Sequence, residues 1–329
     1  MLGAVVASAQ SIGAVDTQSS FRQQNAEMAG RFAPSPTGDL HLGNLRTALV
    51  AWLAARQTNR HFIVRMENLD FVTSSTHHEQ RQLNDLISIG LDWDGEVVRQ
   101  SERFDRYATA IDQLRDLGLV YPCFCTRREI REEIESAAQA PHAFRPDGAY
   151  PGTCRNLTDR QRTARLREGR RPALRLRTES QVVEVNDLVA GRFAGAVDDV
   201  VLARADGVPA YNLAVVVDDA AQGVTQVVRG DDLLTSTPRQ LHLQRLLGLP
   251  APEYMHIPLV LGDDGQRLAK RHGAVTLSDL AADGLTNADV VAMLARSLGI
   301  AAVNDRPTVQ QLIERFDRAS LAKTPVYLS

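Results

Sequence analysis

Cysteine is scarce in this sequence, with three residues in 329. Three thiols cannot build a paired disulfide framework, and such scarcity is typical of a reducing compartment. Long apolar runs are also missing, so no segment could span a bilayer as a helix. The mildly apolar first nine residues lack the basic stretch with which a secretory signal begins. We therefore expect a cytoplasmic protein without membrane contact, and we interpret residues 1–29 as a disordered extension or a mis-set start.

An excess of charge of one sign is absent as well. Lys and Arg number 37 and Asp and Glu 40, which gives a formal net charge of −3. No global basic signal for nucleic acid exists, so any RNA-binding surface must be local. The length allows a large core divided over two or three domains.

The most informative stretch is 31–44, RFAPSPTGDLHLGN. Its pattern predicts a short apolar strand, a Pro/Thr/Gly turn and the start of a helix that runs through Leu53. A helix N-terminus presents unpaired N–H groups and a positive dipole end, which suit a phosphate. His41 adds a donor there, and Gly43 leaves room for a flat base against the backbone. The pattern alone is equally consistent with an ordinary strand–helix crossover that carries a surface histidine.

The particular residues of this stretch favour a phosphate-binding helix terminus over an ordinary crossover. Residues 34–44 closely resemble the HIGH signature of the class I aminoacyl-tRNA synthetases, in its glutamyl version. A polar loop farther along resembles the second signature of that family, KMSKS, in a variant form made of Arg267, Leu268, Ala269, Lys270 and Arg271. Lys270 matches the second lysine, whereas Arg267 replaces the first lysine and Ala269 the serine. The charge is kept and a hydroxyl is lost.

Further segments agree with the glutamyl family. A strand predicted at 62–65 is followed by Glu67, and carboxyl ends of strands in open α/β sheets are where ligands gather. Two apolar runs, 211–219 and 224–232, are predicted by composition to be buried strands. Arg229 lies near the end of the second run, where its guanidinium could bind a carboxylate in bidentate fashion.

The resemblance implies which residues bind which substrate. The implied glutamate pocket consists of Arg31, Phe32, Ala33, Pro34, Ser35, Glu67, Tyr211 and Arg229, with Glu67 on the amino group. The implied ATP site consists of His41, Gly43, Asn44 and Lys270. His41 and Lys270 would act as the catalytic pair that stabilises charge on the phosphates, together with Mg²⁺.

Three thiols lie within a window of roughly 30 residues, at Cys123, Cys125 and Cys154. Such a set suits zinc, which takes four tetrahedral ligands in structural sites. The fourth ligand could be Tyr150 or His142, and general chemistry favours the histidine. The spacing resembles the zinc site of a shortened glutamyl-synthetase-like branch, which implies Tyr150. Three buried free cysteines are the alternative.

Nine arginines lie in the segment 155–177, against Asp159 and Glu168. The run could be a solvated face, which is the usual fate of such runs, or a surface that contacts RNA phosphates. Helices are predicted at 76–90 and 104–117, and in the last part of the chain at 277–280, 288–298 and 309–316.

Together these features predict an α/β protein with a Rossmann-type class I synthetase catalytic domain at 30–117 and 206–260. An inserted zinc-bearing, acceptor-like domain is predicted at 118–205. A KMSKS-like loop with a short helical stem-contact region is predicted at 261–329, and no anticodon-binding domain is expected.

The resemblance implies a monomeric, ATP-dependent ligase that converts L-glutamate to glutamyl-adenylate. In the shortened branch the glutamyl group passes to the queuosine base in the anticodon loop of tRNA(Asp). Two alternatives stay open: a truncated glutamyl-tRNA synthetase that charges a tRNA 3′ end, and a non-catalytic RNA- or nucleotide-binding paralogue.

Overall fold

The computed structural model describes residues 28–137, 149–179, 181–261 and 275–327. Within these ranges the helices are α1 (Leu42–Gln57), α2 (Thr76–Ser88), α3 (Phe104–Asp116), α4 (Arg127–Ala137), α5 (Asp159–Arg167), α6 (Tyr211–Ala221), α7 (Thr237–Leu247), α8 (Leu277–Ala282), α9 (Asn287–Ser297) and α10 (Val309–Arg315). The strands are β1 (Ala29–Phe32), β2 (His61–Met66), β3 (Val98–Arg99), β4 (Val120–Cys123), β5 (Ala173–Leu176), β6 (Gln181–Asp187), β7 (Gly191–Val197), β8 (Val201–Ala203), β9 (Val224–Gly230), β10 (Glu253–Ile257), β11 (Val260–Leu261) and β12 (Val326–Tyr327).

A seven-stranded sheet with the order β3-β2-β1-β9-β10-β6-β7 forms the centre of the fold. The first six strands in that order pair in parallel, and β7 pairs antiparallel with β6. Strand order reverses between β1 and β9, and ligands of open α/β sheets bind beyond the carboxyl ends of strands at such a switch point. The Rossmann-type α/β fold expected from the sequence is confirmed.

Helix α1 lies against this sheet and is buried on most of its surface. Eleven of its sixteen residues are buried, because β1 and β9 cover one side and α9 and α10 cover another. The buried Arg46 on this helix donates to Ser297 Oγ on α9 (3.2 Å) and to the Pro258 carbonyl (3.1 Å). These bonds fix α9 and the segment after β10 against α1.

The smaller sheet, β4-β5-β8, is antiparallel, and Cys123 is the last residue of β4. Strand β6 returns from it to the central sheet, where Asp187 pairs with Tyr254 of β10. Strands β6 and β7 therefore join the central sheet, although they fall inside the segment 118–205 that we expected to be an insertion. The domain boundaries themselves remain a prediction.

The strand predicted at 211–219 is wrong, because this segment is helix α6. A short apolar run rich in valine fits a buried helix as well as a buried strand, and composition could not separate them. The helix lets the consecutive carboxylates of Asp218 and Asp219 both remain buried beside Arg65. In a strand, consecutive side chains would point to opposite faces.

The other predicted elements are confirmed, with ends that differ by a few residues. They include β2, β9 and the helices α2, α3, α8, α9 and α10. No helix in the described ranges combines the length and the apolar character that a membrane span requires.

Candidate functional site

A cleft of about 640 Å³ opens beyond the carboxyl ends of β1, β2, β9 and β10. All eight residues of the expected glutamate pocket line it, as do His41, Gly43 and Asn44. The fold thus brings together residues that lie up to about 200 positions apart in the chain. Lys270 and the rest of the KMSKS-like segment 267–271 lie outside the described residues, as does His142.

The N-terminus of α1 forms one wall of the cleft and is capped by His41. The Nδ1 atom of His41 accepts a hydrogen bond from the Asn44 amide (3.2 Å), and the Asn44 side chain accepts one from the His41 amide (3.2 Å). An unprotonated Nδ1 places the proton of the neutral ring on Nε2. The arrangement satisfies part of the helix terminus and makes Nε2 the donor atom of the ring, a tautomer suited to an anion.

Gly43 is required by this cap. A Cβ atom built on it would lie 2.9 Å from His41 Cε1 and 3.0 Å from His41 Nδ1, closer than side chains approach each other. Gly43 is expected from the sequence to leave room for a base, and in the structure the His41 ring already occupies the space beside it.

A network of buried charges lies beneath the cleft. Arg65 is fully buried and forms ion pairs with Glu67 (3.1 Å) and Asp219 (2.7 Å). Arg31 donates to the Val228 carbonyl (2.9 Å) and lies 3.5 Å from Asp219. Burial raises the pKa of Glu67, and the neighbouring guanidinium groups oppose that rise. Arg65 thereby orients the carboxylate that faces the cleft.

Arg229 lies in β9 and has a different set of partners. Its Nε donates to His256 Nε2 (2.9 Å) and its Nη2 donates to Thr237 Oγ1 (2.9 Å). Its guanidinium also lies over the ring of Tyr254, 5.3 Å from the centroid. Its Nη1 is buried and has no hydrogen-bond acceptor among the described residues. A carboxylate bound in the cleft would supply that acceptor.

Sequence reasoning missed Arg65, Asp219 and His256 as parts of the site. Arg65 and His256 are buried polar residues within strands that are largely apolar, HFIVRM and EYMHI. A polar side chain in a buried strand needs a buried hydrogen-bond partner, and this signal could have marked both residues.

The three thiols and Tyr150 lie close together at the end of β4. The Sγ atoms of Cys123, Cys125 and Cys154 lie within 4.8 Å of one another. The Tyr150 hydroxyl lies 3.3 Å from Cys123 Sγ and 3.5 Å from Cys125 Sγ. Four soft or anionic donors around one point fit a tetrahedral zinc ion. The guanidinium of Arg175 lies 3.8 Å from the centre of the Tyr150 ring, a cation–π contact that helps to fix the position of the ring.

The arginine-rich segment 155–177 divides into two parts. Arg175 is buried, and Arg177 stacks over Tyr121. Helix α5 has no buried residue, and its Arg162 and Arg165 form exposed pairs with Asp159 (3.3 Å) and Glu168 (3.6 Å). Exposed pairs of this kind contribute little to stability. Because no residue of α5 is buried, the helix presents a solvated basic face.

Comparisons with known proteins agree with this geometry. The family model described as "tRNA synthetases class I (E and Q), catalytic domain" matches residues 27–327. The chain is 59% identical over 301 residues to a glutamyl-Q tRNA(Asp) synthetase from Nocardia farcinica, covering 92% of this chain and 93% of that protein. It is 56% identical to a protein of the same name from Cutibacterium acnes, covering 84% of this chain and 78% of that protein.

A solved structure supports the fold independently. A glutamate tRNA ligase from Elizabethkingia meningosepticum, crystallised in complex with its amino acid, superposes with a TM-score of 0.77 at 28% identity. The match covers 92% of this chain and 67% of that one. The chain described here therefore belongs to the class I tRNA synthetases for glutamate and glutamine.

Proposed function

We propose that this chain activates L-glutamate with ATP and transfers the glutamyl group to the queuosine base in the anticodon loop of tRNA(Asp). The observation that carries the proposal is the cleft at the switch point of the sheet. There Glu67, Arg31 and Arg229 surround one cavity beside the capped N-terminus of α1. The names of the relatives that match nearly the whole chain support the choice of acceptor.

The first half-reaction is positioning and charge neutralisation. An oxygen of the glutamate α-carboxylate attacks the α-phosphorus of ATP, and the bond to the pyrophosphate oxygen breaks. In this proposal Glu67 holds the ammonium group, and Arg31 and Arg229 hold carboxylate. The proton on His41 Nε2 and the N-terminus of α1 stabilise phosphate charge that grows in the transition state.

The remaining nucleotide contacts come from residues of the two signatures. Gly43 and Asn44 would contact the nucleotide, and Lys270 would neutralise the phosphates. A Mg²⁺ ion carried by ATP would supply further charge neutralisation. No side chain becomes covalently modified.

In the second half-reaction a hydroxyl of the acceptor attacks the glutamyl carbonyl and AMP leaves. The basic face of α5 would contact RNA phosphates, which supplies affinity rather than sequence recognition. We also propose one structural zinc ion held by Cys123, Cys125, Tyr150 and Cys154. Four protein ligands leave no open position, so zinc would hold the segments around β4 together and take no part in the reaction.

The test begins with ATP–pyrophosphate exchange in the presence of glutamate, with glutamine and aspartate as controls. Exchange that depends on glutamate supports the activation step, and a Lys270→Ala variant should lose at least tenfold in rate, on the order of 1.4 kcal/mol. Absence of exchange with and without tRNA would favour the non-catalytic paralogue.

Labelled glutamate then identifies the acceptor. We expect transfer to tRNA(Asp) that contains queuosine and none to tRNA(Asp) that has guanine at the same position. Transfer to the 3′ end of tRNA(Glu) instead would establish the glutamyl-tRNA synthetase alternative. Light scattering on the purified protein should give 36.1 kDa, the mass of one chain.

A further inference from the structure

We propose that His256 and Thr237 are positioning residues that hold Arg229 in place without neutralising it, and that they thereby set the preference for glutamate over glutamine. This inference rests on the proposed function and concerns the same cleft. Neither residue lines the cleft, so each would act through Arg229.

Asp187 determines how the His256 ring is protonated. Its carboxylate accepts hydrogen bonds from the amides of Val189 (2.9 Å), Ala190 (2.8 Å) and His256 (3.0 Å), which fix its orientation. It also lies 2.6 Å from His256 Nδ1. The proton of the ring is therefore on Nδ1, and Nε2 is an acceptor. Burial lowers the pKa of His256, which agrees with a neutral ring.

The neutral ring then determines the orientation of Arg229. Its Nε2 accepts the Nε–H of Arg229 (2.9 Å), and Thr237 Oγ1 accepts an Nη2–H (2.9 Å). Tyr254 stacks on His256 (5.9 Å between centroids) and also lies under the guanidinium. Two edges of the guanidinium and one of its faces are thus occupied by uncharged groups. Thr237 is fully buried and His256 nearly so, which makes this support rigid.

The other two arginines of the site, Arg65 and Arg31, lie beside carboxylates, unlike Arg229. Arg65 is paired with Glu67 and Asp219, and Arg31 lies 3.5 Å from Asp219. In the described parts of the chain no carboxylate comes within ion-pair distance of Arg229. A buried guanidinium without a counter-charge is costly to the free protein. The positive charge is therefore preserved for a ligand, and the unpartnered Nη1 is an atom that ligand can bind.

The side-chain carboxylate of glutamate can pair with that guanidinium through two hydrogen bonds and full charge. The side-chain amide of glutamine offers one neutral acceptor and an NH₂ group that repels the donors. Sites built to bind one polar group discriminate strongly against analogues that leave it unpaired. Had an acidic residue stood in place of His256, Arg229 would already be neutralised and this discrimination would weaken.

The test uses two pairs of variants. In each pair, one variant keeps the hydrogen bond to Arg229 and the other removes it. In His256→Gln the side-chain amide can reach the Nε2 position and still accept from Arg229. In His256→Asn the shorter amide can donate to Asp187 but cannot reach Arg229. Thr237→Ser keeps the hydroxyl, and the isosteric Thr237→Val removes it. The Michaelis constants for glutamate and for ATP, and the exchange rate with glutamine, are measured for each variant together with the melting temperature.

We expect His256→Asn and Thr237→Val to raise KM for glutamate at least tenfold, with KM for ATP unchanged within twofold. The ratio of kcat/KM for glutamate to that for glutamine should fall at least tenfold. His256→Gln and Thr237→Ser should stay within about threefold of the natural protein. A KM for glutamate that moves less than twofold in the two disruptive variants overturns the inference, as does a parallel rise in both KM values with a lower melting temperature.

If His256→Asn does not fold, Thr237→Val decides by the same criterion. Failure of the inference is distinguishable from failure of the proposed function. The natural protein must first show glutamate-dependent exchange, and its absence would refute the function rather than the role of His256.

Discussion

His41 and Asn44 hold each other at the start of α1 through two reciprocal hydrogen bonds of 3.2 Å. One bond uses the imidazole Nδ1 and the other uses the Asn44 side chain. The histidine is therefore both the cap of α1 and, through Nε2, a hydrogen-bond donor at the N-terminus of that helix. These two contributions can be separated by substitution.

His41→Asn should keep the cap and lose the donor. Asparagine is among the best N-cap residues, so the free energy of unfolding should change by less than about 0.5 kcal/mol. The rate of ATP–pyrophosphate exchange should fall at least tenfold, about 1.4 kcal/mol of transition-state stabilisation. His41→Ala should lose the same activity and also about 1 kcal/mol of stability. Exchange that survives His41→Asn within tenfold would contradict the donor role.

Gly43→Ala should damage the same cap from the other side. The new methyl group would meet the His41 ring at about the 2.9 Å contact found for a built Cβ, so the ring must turn away. We expect a loss of about 1 kcal/mol in unfolding free energy and a lower exchange rate. The double variant His41→Asn with Gly43→Ala is the control, because the shorter side chain leaves space for the methyl group. A stability loss of the same size in both backgrounds would show that the clash lies elsewhere.

The acidic side chain of Asp85 on α2 gives a prediction about pH. The pKa of Asp85 is raised from 3.8 to about 6. Partial burial is the larger cause, and the nearby carboxylate of Asp39 is the smaller one. A carboxyl whose pKa is higher in the folded state stabilises that state below pH 4, and this contribution is lost as the pH rises through about 6. Asp85→Asn should therefore gain stability relative to the natural protein between pH 4 and pH 7.

The gain at pH 7 should be about 1 kcal/mol, after allowance for the solvent that screens a partly exposed group. Urea unfolding at several pH values measures it. Asp116→Asn on α3 is the matched control, since its exposed side chain reports the removal of a surface charge alone. A stability difference that stays constant from pH 4 to pH 7 would refute the assignment.

The sequence could predict the cleft because its residues stand next to strong local signals. The strand, turn and helix of 31–44 are read from one continuous pattern, and Glu67 and Arg229 follow apolar runs that end at the same edge of the sheet. Local periodicity and one topological rule were enough to place them together.

The supporting residues could not be placed in the same way. Asp187 and His256 are 69 positions apart, and the strands that carry them meet only through the return of β6 to the central sheet. The error at α6 has a related cause, because the burial of Asp218 and Asp219 depends on arginines from β1, β2 and the start of α3. Long-range pairing decided these features, and no local window contains it.

Tyr150 is the ligand on which general chemistry and family resemblance disagree. Its hydroxyl lies 3.3 Å from Cys123 Sγ, and it also accepts a hydrogen bond from the Cys154 amide at 2.9 Å. That hydrogen bond orients the Tyr150 oxygen toward the thiols, as hydrogen-bond partners of metal ligands commonly do. We therefore expect elemental analysis to find one zinc ion per chain. Competition with a chelator should show at least a tenfold loss of zinc affinity in Tyr150→Phe.

Two companion variants make that measurement decisive. Cys125→Ser removes a thiolate and should lower both zinc content and melting temperature, because binding energy of a structural zinc contributes to folding. His142→Ala should leave zinc affinity unchanged if Tyr150 is the fourth ligand. A loss of affinity in His142→Ala with none in Tyr150→Phe would transfer the fourth position to the histidine. An absence of zinc in the natural protein would reduce the cluster to three free thiols, two of them buried, around a tyrosine.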